Sequence, residues 1–289
     1  MPLPFLPMPS PETEYVLGTN TEEAARLGLQ HRLWSSAAHR LWERAGIRPG
    51  MNVLDVGCGP GHATMDLAQI VRGIPSGPHQ GRVVAVDESG AFLKQLNDEA
   101  QSRRLTNIER VLGDVHEIGK LLAGREQTFD LAYARWVFCF LPRPEEVVKG
   151  LSLLVKPGGR VAIQDYFNYE IMTLAPKSDA FSTIIRAVGK SWRDQGGDPD
   201  VMSRLPAMLR KHGFEVTHLA LDGRVARPST TIWHWPDSFW AVFVPRLEKM
   251  GYITTSQREA FFKVWAEASS NPDCFMQLPP VFDLVAEKK

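Results

Sequence analysis

The chain has little cysteine: Cys58, Cys139 and Cys274 lie far apart, with no CxxC pair and no histidine at zinc-ligand spacing. A disulfide framework and a structural zinc are therefore not expected, and no metal is assigned. The thiols suit a reducing cytosol. Net charge is also missing, since Lys+Arg and Asp+Glu both number 33. No long basic run appears either, so nothing offers a nucleic-acid backbone an electrostatic footing. Internal repeats and low-complexity segments are absent from the 289 residues. No apolar run is long enough to span a bilayer. The most apolar later stretch, 129–141, is short and carries Asp130 and Arg135. The N-terminus is apolar but has four prolines in its first nine residues and no basic region. It reads as an extended leader and not as a signal peptide. The expectation is a cytoplasmic protein with neither nucleic acid nor membrane as a partner.

What is present is ordinary globular composition, 44% hydrophobic and 23% charged. A first helix is signalled by Thr19-Asn20-Thr21-Glu22-Glu23, with a capping residue before acids in the first turn. Its stripe runs Leu27, Trp34, Ala38, Leu41 and Trp42, and Gln30 and His31 share that inward face. Strands and helices then alternate: strand 51–56, helix 62–72, strand 82–86, helix 91–103, strand 108–112, strand 129–140, helix 145–155 and strand 160–166. Alternation of this kind gives a parallel sheet covered on both faces. Past residue 167 the rhythm breaks. Helical periodicity lies within 168–199, a helix closes at 206–213, and a strand covers 214–220. Residues 231–269 hold two aromatic-rich helices. The last stretch, 274–285, reads as one strand interrupted at Pro279-Pro280, which favours a sheet edge or bulge. The fold expected is α/β: a Rossmann-like, doubly wound, mostly parallel seven-stranded sheet with helical cap insertions at about 168–199 and 231–269. Residues 1–45 form a leader and cover set apart from the 46–289 domain and its folded core.

Between the first strand and its helix stands Asp55-Val56-Gly57-Cys58-Gly59-Pro60-Gly61. Glycines here allow positive φ and close approach of a ligand to the backbone, and tight strand–helix turns also need glycine structurally. A dinucleotide fingerprint requires G-x-G-x-x-G, but His62 stands where its third glycine belongs. Asp55 is also awkward beside a pyrophosphate, whereas a ligand carrying an ammonium group would welcome it. Asp87 ends the second strand, where an acid can grip both hydroxyls of a ribose. Asp114 follows the third strand in Gly113-Asp114-Val115. Each could be a solvated turn residue, yet three acids at the ends of three consecutive strands are hard to credit to turns.

Together these residues resemble the class I S-adenosylmethionine-dependent methyltransferases. Val53 to Gly61 is similar to that family's first motif. Val84-Ala85-Val86-Asp87, Gly113-Asp114-Val115, Phe129-Asp130-Leu131 and Leu154-Val155-Lys156-Pro157-Gly158-Gly159 resemble its later motifs in order and spacing. The likeness is strong over about 45–167. Tyr15-Val16-Leu17-Gly18 through Leu27-Gly28-Leu29-Gln30, and Ala134 to Pro142, are similar to a subgroup whose N-terminal helix covers the cofactor. The resemblance implies S-adenosylmethionine as methyl donor and S-adenosylhomocysteine as product. Gly57, Cys58, Gly59 and Gly61 would pass beneath the methionyl part, and Asp55 would orient its ammonium. Asp87, with Glu88 beside it, would take the ribose. Gly113, Asp114 and Val115 would hold the adenine, Gln30 and Tyr15 would close the site, and Arg135 would lie near the methionyl carboxylate or the acceptor.

A sulfonium is already an activated leaving group, so methyl transfer is an in-line displacement that needs alignment above all. A general base matters only where the nucleophile must lose a proton. His116, Asp165 and His234 are candidates, and none stands out. The acceptor expected is a small organic molecule beneath the aromatics of the cap, although those aromatics could equally be the core of two extra helices. An NAD-dependent oxidoreductase and a non-catalytic cofactor-binding protein are the alternative readings.

Overall fold

The computed structural model describes residues 21–73 and 80–289. The chain runs through α1 (Thr21–Arg44), β1 (Asn52–Val56), α2 (His62–Arg72), β2 (Arg82–Asp87), α3 (Gly90–Ser102) and β3 (Ile108–Leu112). A short α4 (Ile118–Leu121), β4 (Phe129–Arg135), α5 (Pro144–Leu154) and β5 (Val155–Tyr166) follow. β1 and β2 are buried at nearly every position, as strands covered on both faces must be. The helices between them turn one apolar stripe inward; α2 buries Ala63, Leu67, Ala68 and Val71.

Beyond β5 come β6 (Thr173–Ala175), α6 (Asp179–Asp194), α7 (Leu205–Lys211), β7 (Phe214–Asp222) and β8 (Val225–Ala226). The chain then forms α8 (His234–Lys249), α9 (Thr255–Ser270), β9 (Phe275–Gln277) and β10 (Val281–Lys288). The main sheet has the order β3-β2-β1-β4-β5-β10-β7, with β10 antiparallel to both neighbours and the other strands parallel. This is the mostly parallel, doubly wound sheet that the alternation predicts. The strand order brings the C-terminal ends of β3, β2, β1, β4 and β5 into one row. Above that row, α6 packs on α9 through Phe181, which stacks on Phe261 and Trp265 at 6.0 and 6.3 Å. β6, β9 and β8 make a second, three-stranded sheet.

Three expectations are corrected. The stretch 274–285 is not one interrupted strand at an edge. Pro279 and Pro280 have no N–H for a ladder, so the chain leaves the small sheet after β9 and enters the main one as β10, in its interior. The strand expected over 129–140 stops at Arg135. Trp136 takes a φ of 52° and a 3-10 turn covers Phe138–Phe140. Finally, the second half of α1 does not lie outside the core: Trp34, Ala37, Ala38, Leu41 and Trp42 are completely buried, and Trp42 meets Tyr133 edge-on at 5.3 Å. Only the first half of the helix reaches over the strand ends.

Candidate functional site

The turn from β1 into α2 is shaped by glycines with different duties. A Cβ on Gly57 (φ 64°) would strike Val137 at 2.7 Å, and one on Gly61 would strike Leu96. Gly59 (φ 54°) has no atom of the described residues within 4 Å of that position, and it faces a cavity. Its N–H donates to Asp87 Oδ2 at 2.7 Å, and Ser89 N–H donates to Asp87 Oδ1 at 2.9 Å. Asp87 thereby ties the glycine loop to the end of β2. Burial raises its carboxyl, and these two N–H groups partly offset the rise. Asp55 is buried and accepts from Thr64 Oγ1 at 2.6 Å; burial pushes its carboxyl up to about 7. Burial likewise raises the Cys58 thiol, with Asp87 and Asp55 adding to it. Glu88 is raised by burial and then by the charges of Asp87 and Asp114.

At the end of β3, Asp114 Oδ1 accepts from the backbone N–H and the Nδ1 of His116, at 2.9 and 2.6 Å. Burial pushes the Asp114 carboxyl up, but the His116 hydrogen bonds outweigh it and hold the carboxyl below its ordinary value. At the end of β4, Arg135 lies 5.1 Å over the Trp136 ring and donates from Nη2 to His31 Nδ1 at 2.9 Å.

These strand ends open on one cavity of about 920 Å³, at the upper end of the ~300–1,000 Å³ usual for pockets of drug-sized ligands. Its lining includes Asp55, Gly57, Cys58, Gly59, Asp87, Glu88, Gly113, Asp114, Val115 and Arg135 on one side. The other side is aromatic. Trp136 stacks on Trp235 at 5.6 Å and on Tyr166 at 6.0 Å. Tyr169 meets Tyr166 and Trp192 at 5.1 and 4.9 Å. Gln30 stands between the halves, its Oε1 accepting from Trp235 Nε1 at 2.8 Å and Arg26 Nη1 at 3.2 Å. Arg26 is itself buried in a two-bond ion pair with Glu23.

The structure thus gathers most of the residues singled out from the sequence and leaves four aside. Tyr15 falls outside the described residues. Gly61 caps α2 against Leu96 without lining the cavity. Asp165 is wholly buried, accepts from the N–H groups of Cys139 and Tyr166 at 3.2 and 2.9 Å, and holds the turn after β4 in place. His234 is exposed at the start of α8. Of the three candidate bases only His116 lines the cavity. The sequence reading missed Arg26, Trp136, Tyr166, Tyr169 and Trp192. Only the density of aromatics past residue 167 hinted at part of this wall.

Comparison with known proteins follows the same outline. A family model described as a methyltransferase domain matches residues 47–223. The chain belongs to this family. The methyltransferase is 29% identical over 200 residues to the ubiquinone/menaquinone biosynthesis C-methyltransferase UbiE of Idiomarina loihiensis, covering 67% of this chain and 75% of that one. It is 25% identical over 202 residues to the Vibrio campbellii protein of the same name, covering 67% and 73%. Its fold matches that of geranyl diphosphate C-methyltransferase from Streptomyces coelicolor A3(2), with a TM-score of 0.54 at 14% identity over 92% of this chain and 84% of that one. The methyl donor of the methyltransferase is S-adenosylmethionine, and the glycine loop and acids at the strand ends are in keeping with it. Among the described residues, no helix is long and apolar enough to cross a membrane.

Proposed function

We propose that the two halves of the cavity take the two reactants, the donor along β3, β2 and β1 and a flat, largely apolar ring compound against the aromatic wall. The observation that carries this reading is the single cavity that joins the acids to the stacked rings. The donor half fits S-adenosylmethionine. Gly59 leaves open space where a side chain would stand, and the Arg135 Nη1 is buried at the cavity with no partner among the described residues. Asp87 would take the ribose hydroxyls with Glu88 beside it, Asp114 Oδ2 the adenine amino group, and Val115 the ring face. Gly57, Cys58 and Gly59 would run beneath the methionyl part. Asp55 and Arg135, one acid and one base at neighbouring strand ends, would meet the ammonium and the carboxylate of its amino-acid moiety.

The donor supplies a methyl group already activated on a sulfonium, so this chain's own work is alignment and exclusion of water, worth ~7–11 kcal/mol where geometry is good. Gln30 and Arg26 on α1, together with the 168–199 and 231–269 segments, roof the cavity for that purpose. His116 is not assigned as a base: its Nδ1 is engaged by Asp114, and it stands at β3, three strand spacings or about 14 Å at ~4.8 Å each from Trp136 at the end of β4, where the aromatic wall begins. Its place is beside Asp114, at the adenine end. For the acceptor, the names of the UbiE relatives point to ring compounds of quinone biosynthesis, and the Trp136, Trp235, Tyr166 and Tyr169 rings are suited to stack on one. The free thiols of Cys58, Cys139 and Cys274 support a cytoplasmic location for this work. The test is formation of S-adenosylhomocysteine with a panel of hydroquinones and naphthols against short aliphatic amines and acids. Turnover confined to the ring compounds supports the reading, and turnover confined to the aliphatic ones overturns it.

A further inference from the structure

Arg135 is held from behind. Its guanidinium can only donate hydrogen bonds, so the His31 Nδ1 that faces its Nη2 at 2.9 Å must offer a lone pair. In a neutral imidazole the single proton then sits on Nε2. Nε2 is the atom that donates to Asp66 Oδ2, at 3.0 Å. Asp66 also faces His39 Nε2 at 3.3 Å. Burial pushes the Asp66 carboxyl up, but hydrogen bonds from His31 and His39 outweigh it and keep the carboxyl below its ordinary value. The His62 ring, 5.8 Å from His31 and inclined by 23°, packs alongside. His31 is itself almost fully buried. The outcome of this chain of donors and acceptors is an Arg135 with one arm anchored. Its other arm, Nη1, is buried and unpartnered among the described residues, in a residue that lines the cavity.

From this geometry we infer that Asp66 and His31 are a positioning pair for Arg135. Asp66 locks His31 in the Nε2–H tautomer, and Nδ1 then anchors Nη2 so that Nη1 is presented to the carboxylate of the donor's amino-acid moiety. The inference rests on the reading of Arg135 given above. It separates His31 from the other residues of α1, which close the cavity without acting through a strand-end side chain. A buried, unpaired N–H of a charged group is costly, so the arrangement is economical only if an anionic oxygen completes it.

The experiment measures binding of S-adenosylhomocysteine and of 5′-methylthioadenosine, which keeps the nucleoside but has no carboxylate. Arg135→Gln tests the underlying reading. It should weaken S-adenosylhomocysteine about tenfold and leave 5′-methylthioadenosine unchanged. His31→Phe keeps the ring and removes the acceptor, and it should reproduce that pattern. His31→Asn restores an acceptor near the Nδ1 position and should recover affinity to within about threefold of the parent. Asp66→Ala removes the acceptor that holds Nε2–H and should likewise weaken S-adenosylhomocysteine with 5′-methylthioadenosine unchanged. Nitrogen NMR of His31 should report the Nε2–H tautomer in the parent. If Arg135→Gln binds S-adenosylhomocysteine normally, the reading of Arg135 fails. If Arg135→Gln weakens it and a folded His31→Phe does not, that reading stands and the positioning pair is overturned. Equal weakening of both ligands by His31→Phe, or an Nδ1–H tautomer in the parent, overturns the pair as well.

Discussion

The two halves of the cavity are built on different principles. The donor half comes from turns directly after β1, β2 and β3, and backbone N–H groups do much of its work: Gly59 and Ser89 on Asp87, and the His116 N–H on Asp114. The half proposed for the acceptor is assembled from α1, the turn after β4, the end of β5, α6 and α8. Its members are positioned by rings packed on rings. A hydrogen-bonded turn at a strand end inherits its geometry from the sheet, whereas a wall of stacked aromatics takes its shape from whatever the surrounding helices allow. The first can stay constant while the second changes to suit an acceptor.

The largest test of this division is Trp192→Ala. The ring is buried between Phe140 and Tyr169, both at 4.9 Å, so its removal should lower stability by about 3–5 kcal/mol in thermal unfolding. S-adenosylhomocysteine affinity, measured below the transition, should stay within about threefold. A parallel loss of affinity would mean that the halves are one unit. On the donor side, Asp87→Ala should cut that affinity by roughly 10- to 150-fold, or ~1.5–3 kcal/mol, and calorimetry showing no change would remove Asp87 from the ribose.

Asp55 sharpens the comparison because its proposed role toward the donor runs against the stability of its burial. Burial lifts its carboxyl from 3.8 to about 7, so the folded protein holds a proton that the unfolded chain has lost. Its contribution to stability is complete below about pH 4 and is lost as the pH rises to about 7. Asp55→Asn, which can still accept from Thr64, should gain about 1–2 kcal/mol above pH 7 while losing donor affinity. A variant no more stable at pH 8 than the parent would contradict this sign. The last test is Gly59→Ala. The new methyl meets no atom of the described residues within 4 Å, which leaves the strain of positive φ, about 1–2 kcal/mol. Donor binding should nevertheless fall more than the fold does, and unfolding of this variant would make the glycine structural.

Much of the donor half was legible in the chain because its elements are local. Val53 to Gly61 already contains the strand, the turn and the helix start, and the acids mark strand ends through the alternation alone. Gln30 and His31 were legible as polar residues on an apolar helical face. Their partners were not, since Trp235 and Arg135 are far away in sequence.

The sequence by itself determined the parallel sheet, the glycine loop and the row of acids, because apolar runs, glycines and turn spacing act over a few residues. Tertiary structure alone decided that β10 lies inside the sheet, that the second half of α1 is core, and that Asp165 is a buried support and no part of the cavity. It also decided which rings face one another. Each of these depends on contacts between segments up to some 200 residues apart, such as Gln30 with Trp235. Which of several apolar faces packs on which is settled by shape complementarity in the assembled core, and periodicity carries no record of it.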